Sequence, residues 1–394
     1  MIARAPRVRI FFVCALSLAG SVLLYGRTLT YGFDWDDYHF MRSYTLTEVG
    51  RAWSGPWDAR DHLEAPFYRP VTIVFYAGRA WLFGLHPMAL HALSVLLFAM
   101  AASVLILWLC RLELSRPAVL AGALVFLTHP VMPASAVAWV TNQMHLLELL
   151  LVMSALSLAT DGPRRWPWLV VLQIVTALVK EDGIMLGPAV AAVWIVRGIS
   201  LPRRWIFASA AVVLIYLPLR TWALGGIGGF EGASLMRNAV YGPLNVLRLV
   251  DGSLNSADRF ATLALLAIGS FAVWHVWRVR WLAVQPLVLA ATLLGLFNAP
   301  LIFASGPTRS QLLVVCLAVG VAGAVQLLEH TRQRVTSLVL VAVVVLAFAV
   351  SNWAAVNRFA PCAADVLSHD HAVRAWGDAV PLALRDELAR KVCP

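Results

Sequence analysis

The chain has 394 residues, 60% of them hydrophobic and only 13% charged, with a net charge of +10. Soluble domains carry about 25% charged residues, so a soluble globular class is excluded, and a mean hydropathy of +0.77 marks an integral membrane protein. The basic excess does not form the stripe that nucleic acid requires; it falls in short clusters between apolar runs and reads as an orientation signal.

About eleven apolar segments follow one another, at 10–26, 87–110, 117–134, 144–160, 166–179, 184–197, 205–221, 260–277, 282–303, 311–328 and 336–352. They predict an all-α polytopic bundle over residues 1–352 and a short tail over 353–394. Arg4, Arg7 and Arg9 precede the first segment, and every second loop after it is again basic: Arg111 and Arg116, Arg164 and Arg165, Arg197 with Arg203 and Arg204, Arg278 and Arg280, Arg332 and Arg334. Arginine in short loops marks the cytoplasmic side, so the N-terminus is expected inside and the tail outside. The basic start, apolar core and small residues near Ala19–Ser21 would also suit a cleaved signal peptide, which leaves the later orientation unchanged. The segment Val71–Leu85 is short for a span and contains Arg79. Counting it as a span would invert every later loop, so an amphipathic helix at the outer interface is expected.

The polar residues therefore collect outside, in a first loop over about 27–86, a Gly-rich loop over about 222–259, and the tail. An oxidising compartment would let Cys362 and Cys393 of the tail form a structural disulfide, the alternative being two thiols. The first loop opens with FDWDDYHF, which crowds Asp34, Asp36 and Asp37. Such acids can serve as a general base, hold a divalent cation, or simply be solvated. Arg69, held before Pro70, can pair with phosphate or orient a carboxylate, or be an ordinary surface arginine. His129, His145 and Glu148 gather around the next outer turn, and an ionisable residue such as Glu148 inside a span is a functional candidate by default. KEDG places Lys180, Glu181 and Asp182 in a further outer turn. Lys180 and Lys391 are the only lysines of the chain. Lys180 could neutralise a lipid phosphate as a compact cation, or belong to a plain polar turn.

Taken in order, FDWDDYHF, YRP followed by GLHP, HPV followed by AVAWV, and KEDGIMLG resemble the GT-C class of membrane glycosyltransferases. Within it they look most like bacterial relatives of the tetratricopeptide-bearing O-mannosyltransferases. The resemblance covers roughly residues 10–200. It implies a polyprenyl-phosphate-linked sugar as donor, transfer with inversion to a hydroxyl, and a multi-pass inner membrane protein of a bacterium with its active face periplasmic. Carried onto this chain, it makes Asp36 the base and Asp37 its partner, roles that could be exchanged. Arg69 and Lys180 would hold the phosphate, and His129 and Glu181 would shape the pocket. His145 and Glu148 would border the acceptor. A divalent cation on Asp36 and Asp37 stays an open alternative. The chain departs from the family where MPAS follows the HP pair, where TNQMH puts His145 near the place of an acid, and in lacking a tetratricopeptide-like repeat within its tail. The acceptor is therefore left open between a lipid, a glycan and a protein.

Two other classes compete. A lipid-linked-sugar flippase would place its polar groups near mid-membrane in broken helices, whereas here they gather at outer ends. A non-catalytic assembly subunit would have no need to keep both the DD and KE blocks. No glycine fingerprint for a dinucleotide and no P-loop occurs, so nothing favours a nucleotide-sugar donor or ATP.

Overall fold

The computed structural model describes residues 6–33, 37–57, 67–132, 136–226, 281–298, 311–330, 335, 338–339 and 341–357. Asp34, Asp36, Cys362, Cys393, the predicted segment 260–277 and nearly all of the Gly-rich loop and tail lie outside these residues. Among the described residues every regular element is helical, and no strand occurs. The protein is an all-α polytopic membrane protein.

Helix α1 (Pro6–Tyr25) runs into a 3-10 turn, Gly26–Thr30. The first loop holds two short helices, α2 (Asp37–Phe40) and α3 (Leu46–Arg51). Thr45 and Glu48 begin α3 as a reciprocal capping box, so two orphan N–H groups are satisfied locally. Then come α4 (Pro70–Phe83), α5 (Pro87–Arg111), α6 (Arg116–Thr128), α7 (Gln143–Thr160), α8 (Trp166–Val179), α9 (Leu186–Val196) and α10 (Arg203–Leu224). Several carry proline in the first turn, where its missing N–H has no intrahelical partner to lose. Helices Trp281–Asn298, Gln311–His330 and Val341–Asn357 follow.

Among the described residues five helical segments are long and apolar enough to cross a bilayer: Ile10–Thr30, Pro87–Arg111, Val140–Thr160, Arg203–Leu224 and Gln311–His330. Three of them, Pro87–Arg111, Val140–Thr160 and Gln311–His330, join shorter helices in a closed series. Helix α1 lies on α5, α5 on α7, and α7 on α8 and α9. The series continues from α9 to Trp281–Asn298, then to Gln311–His330, and returns through α6 to α5. Helix α10 flanks α8, and α4 lies across α8. One continuous core runs through Phe98, Trp108, Phe126, Trp194 and Phe297. Outward faces are apolar as well, with Phe11, Phe12 and Leu23 on α1 and Phe207, Leu214 and Ile215 on α10 exposed. A face that would be a liability in water is what a lipid-facing helix presents.

The last helix is tied back to the first. Tyr31 donates to the carbonyl of Val356 at 2.6 Å, and Asn352 donates to the Tyr25 hydroxyl at 2.7 Å. That hydroxyl donates in turn to the Leu127 carbonyl at 2.9 Å.

Two expectations change in detail. The segment predicted to run over 117–134 stops being α-helical at Thr128. Pro130 disfavours helical geometry for the residue before it, and His129 is extended, with ψ at 126°. The hairpin of α8 and α9 is short, at 14 and 11 residues. These helices are about 21 and about 17 Å long against an apolar bilayer thickness of about 30 Å. Their joining turn carries Lys180, Glu181 and Asp182, and it closes against protein: Lys180 and Asp182 are both buried. Segment 71–85 is a helix as expected, and Thr72 fastens it to the end of α8 by donating to the Val179 carbonyl at 2.7 Å.

Gly183 allows that closure. A Cβ there would collide with the Thr176 backbone and lie 2.6 Å from the Ala177 nitrogen, which cannot step aside. Gly78 in α4 faces open space. Gly183→Ala should therefore destabilise the solubilised protein by roughly 1–3 kcal/mol, while Gly78→Ala should be neutral or stabilise by up to about 1 kcal/mol. Thermal unfolding of the two variants checks this; equal midpoints would mean that no close approach limits the turn.

Candidate functional site

The irregular chain between α6 and α7 leaves backbone groups that secondary structure does not satisfy. Side chains from two elements, α2 and α4, meet them. Asp37, wholly buried, accepts from the Thr141 N–H at 2.5 Å and the Thr141 hydroxyl at 2.7 Å. Its other oxygen accepts from the Val140 N–H at 3.3 Å. Tyr76 of α4 donates to the Thr141 carbonyl. Arg79, one turn further along α4, donates to the Val140 carbonyl at 2.8 Å and to Gln143 at 2.5 Å, with its guanidinium 4.0 Å over the Tyr76 ring. Gln143 passes the connection to α5 by donating to the Leu90 carbonyl and to Ser94. The first loop, α4, α5 and the start of α7 are thereby one polar unit.

Beside it lies Arg69, at the N-cap of α4 and 4% exposed. Its Nε and Nη2 donate to the two oxygens of Glu181 at 2.9 and 2.6 Å, the two-pronged pairing that a planar guanidinium favours. Trp57 and Phe67 flank the guanidinium, with ring centres at 4.7 and 4.0 Å. Burial alone would raise the Glu181 pKa, but the charge and hydrogen bonds of Arg69, helped by Lys180, bring it down to about 2.

Behind Glu181 is a second ionic group. Lys180 donates to Asp182 at 2.6 Å and to Glu148 of α7 at 3.3 Å. His145 stands 3.8 Å from the same Glu148 oxygen. The second oxygens of Glu148 and Asp182 are shielded from solvent and have no hydrogen-bond partner. One ammonium thus serves two buried carboxylates. Burial first, then repulsion from Glu148, pushes Asp182 up to about 7 against the pull of Lys180.

The structure thus brings together Arg69 and Glu181, and Lys180, Glu148 and His145, in one turn region, with Asp37 in the adjoining polar unit. It does not bring His129 to them. That ring packs edge-on against Phe348 at 4.8 Å, its Nδ1 accepts from Val131, and its carbonyl accepts from Asn352, so it belongs to the seam with the last helix. Asp36 and the cysteine pair lie outside the described residues. Among the described residues no three His, Cys, Asp or Glu side chains converge as a metal site. Two groups near these residues escape a reading of sequence blocks: Asp182 looks like one more polar residue of a turn, and Tyr216, which Glu181, Arg220 and Arg69 influence, sits with Arg220 in the C-terminal half of α10. An arginine within a membrane-length helix is a signal that could have found the last.

Asp182 gives a pH test. An acid whose folded pKa is raised favours the fold while protonated, so its stabilising share is complete below its unfolded value of about 4 and is lost as pH rises through about 7. The groups facing it are Glu148, Lys180, Glu181, Arg69, His145 and Tyr216; Glu181, lowered, loses its share only in acid. The melting midpoint should fall from about pH 5 to about pH 8, and Asp182→Asn should flatten that slope and melt higher than wild type at the upper end. Equal slopes for the two proteins would show that Asp182 stays ionised as the counter-ion of Lys180.

No family profile matches the chain, and no solved structure does. One stretch of the chain is 31% identical over 145 residues to the Protein O-mannosyl-transferase TMTC3 of Mus musculus. The match covers 34% of this chain and 16% of that protein, so this chain spans only a small part of the length of the relative it matches. The likeness is partial and indicates a relationship to glycosyltransferases.

Proposed function

We propose that the protein is a glycosyltransferase that moves a sugar from a polyprenyl-phosphate-linked donor to a hydroxyl acceptor at the outer face of a bacterial inner membrane. The observation that carries this reading is the meeting of Arg69 and Lys180, each against carboxylates, beside the loop that Asp37 fastens to the start of α7. The partial likeness to an O-mannosyl-transferase supports it.

In this reading Asp36 takes the proton of the acceptor hydroxyl, whose oxygen attacks the anomeric carbon. The bond from that carbon to the phosphate oxygen breaks, and the lipid phosphate leaves as an anion. Asp37 acts as the anchor that holds Asp36 in position, because its own oxygens are engaged by Val140 and Thr141. Arg69 and Lys180 supply positive potential where charge builds on the leaving phosphate, which is where fixed cations accelerate a transfer. Glu181, Asp182 and Glu148 keep those cations in place while the donor is absent. His145, beside Glu148, borders the acceptor side. The acceptor is a lipid, glycan or protein hydroxyl, and a divalent cation on Asp36 and Asp37 is a further element to test.

Membranes carrying wild type or Asp36→Asn, given radiolabelled polyprenyl-phosphate monosaccharides and cell-envelope acceptors, test this. One donor should be consumed by wild type, and the variant should be slower by about 100-fold or more, as for loss of a general base. Folded wild type that consumes no donor across a broad panel of sugars and acceptors would sink the proposal. Repeating the assay with a chelator decides the cation.

A further inference from the structure

Tyr216 and Arg220 are four residues apart on α10, so helical geometry sets them on one face, one turn from each other. Tyr216 is 4% exposed, and its ring lies 6.2 Å from that of Tyr68, the neighbour of Arg69 in sequence. Its hydroxyl is shielded from solvent and has no hydrogen-bond partner. Glu181, Arg220, Arg69 and Asp182 all act on it electrostatically. Nε of Arg220 is likewise shielded and unpartnered. Buried tyrosine hydroxyls and guanidinium N–H groups normally find acceptors. Two adjacent donors left open together mark a place where an acceptor from outside belongs.

The state of the neighbouring cations says what kind. Both prongs of Arg69 are taken by Glu181, and Lys180 is taken by Asp182 and Glu148. An arriving phosphate meets those two cations already neutralised. Arg220, by contrast, carries no carboxylate partner among the described residues. An arginine near a helix end can also reach out to water along the membrane surface, but its Nε would then be hydrated, not enclosed.

We propose that the Tyr216 hydroxyl and the Arg220 guanidinium form an anion subsite on α10 that binds the phosphate of a polyprenyl phosphate. This rests on the transferase reading for its choice of lipid. The hydroxyl and the guanidinium N–H groups donate to the phosphate oxygens, a geometry in which arginine can pair through two nitrogens at once. Arg220 is then the first cation to meet the donor, and Arg69 and Lys180 join as their carboxylates yield.

Equilibrium binding of radiolabelled polyprenyl phosphate to the full chain in detergent tests it, with unphosphorylated polyprenol and inorganic phosphate as competitors. Wild type should bind the lipid phosphate, with neither competitor matching it. Arg220→Gln should weaken binding by about tenfold or more, the scale of one charged hydrogen-bonded contact. Arg220→Lys should recover part of the loss, and Tyr216→Phe should cost a few-fold by the same reasoning. Melting midpoints without lipid should match wild type. Wild-type affinity in folded Arg220→Gln overturns the subsite, and so does inorganic phosphate or polyprenol displacing the lipid phosphate at equal concentration. Should Arg220 prove necessary for binding while no sugar is transferred from any donor, the subsite stands and the transferase reading falls.

Discussion

A charge withdrawn from water must find its opposite, and in this protein that constraint holds the candidate site together. Lys180, buried between Asp182 and Glu148, cannot be left alone in an apolar body. The carboxylates that answer it come from α7 and from the turn between α8 and α9. The same turn supplies Glu181 to Arg69, which heads α4. Three elements, α4, α7 and the turn between α8 and α9, are therefore positioned by two ionic groups that share one short stretch of backbone. Such groups are weak as sources of net stability, since desolvation offsets much of the attraction. Their effect is geometric: separating these partners strands a buried charge.

The second constraint is the irregular backbone ahead of α7. A membrane protein can carry non-helical chain among its helices only where protein or water satisfies the peptide groups. Asp37, Tyr76 and Arg79 do so here, each from a different position along the chain. This gives the first loop a reason to contain a buried aspartate quite apart from chemistry. Of the crowded acids in FDWDDYHF, Asp37 fastens the loop, and Asp36 is proposed to be the one left for a reacting proton. A loop tied at that point to α7, and through Glu148 of α7 to Lys180, would in the proposed transfer keep the base and the leaving-group site in register.

The helices were legible from apolar runs because each must hide its backbone from lipid, so run length reports helix position directly. Ends were legible where proline or charge marks them, as at Pro87 and Arg111, and misplaced where a run continues past a proline, as at His129–Pro130. Lys180, Glu181, Arg69 and Glu148 stood out as charges in or beside apolar segments. His129 stood out for the same reason but sits in a different seam, because a side chain's direction is set by helix phase and neighbours that spacing does not encode. Asp182 and Arg220 were under-read since their meaning depends on which groups they meet.

What the amino-acid sequence determined by itself is the polytopic all-α character, the approximate helix ranges among the described residues and the short list of polar residues worth attention. Those follow from local physics, namely the cost of exposing peptide groups or charges to lipid, which each segment feels alone. Tertiary structure decided the partnerships: Arg69 with Glu181, Lys180 with Glu148 and Asp182, Asp37 with the start of α7, and the donors left open on Tyr216 and Arg220. Pairing is non-local, since the energy of a buried charge depends on what stands a few ångströms away in space and not along the chain.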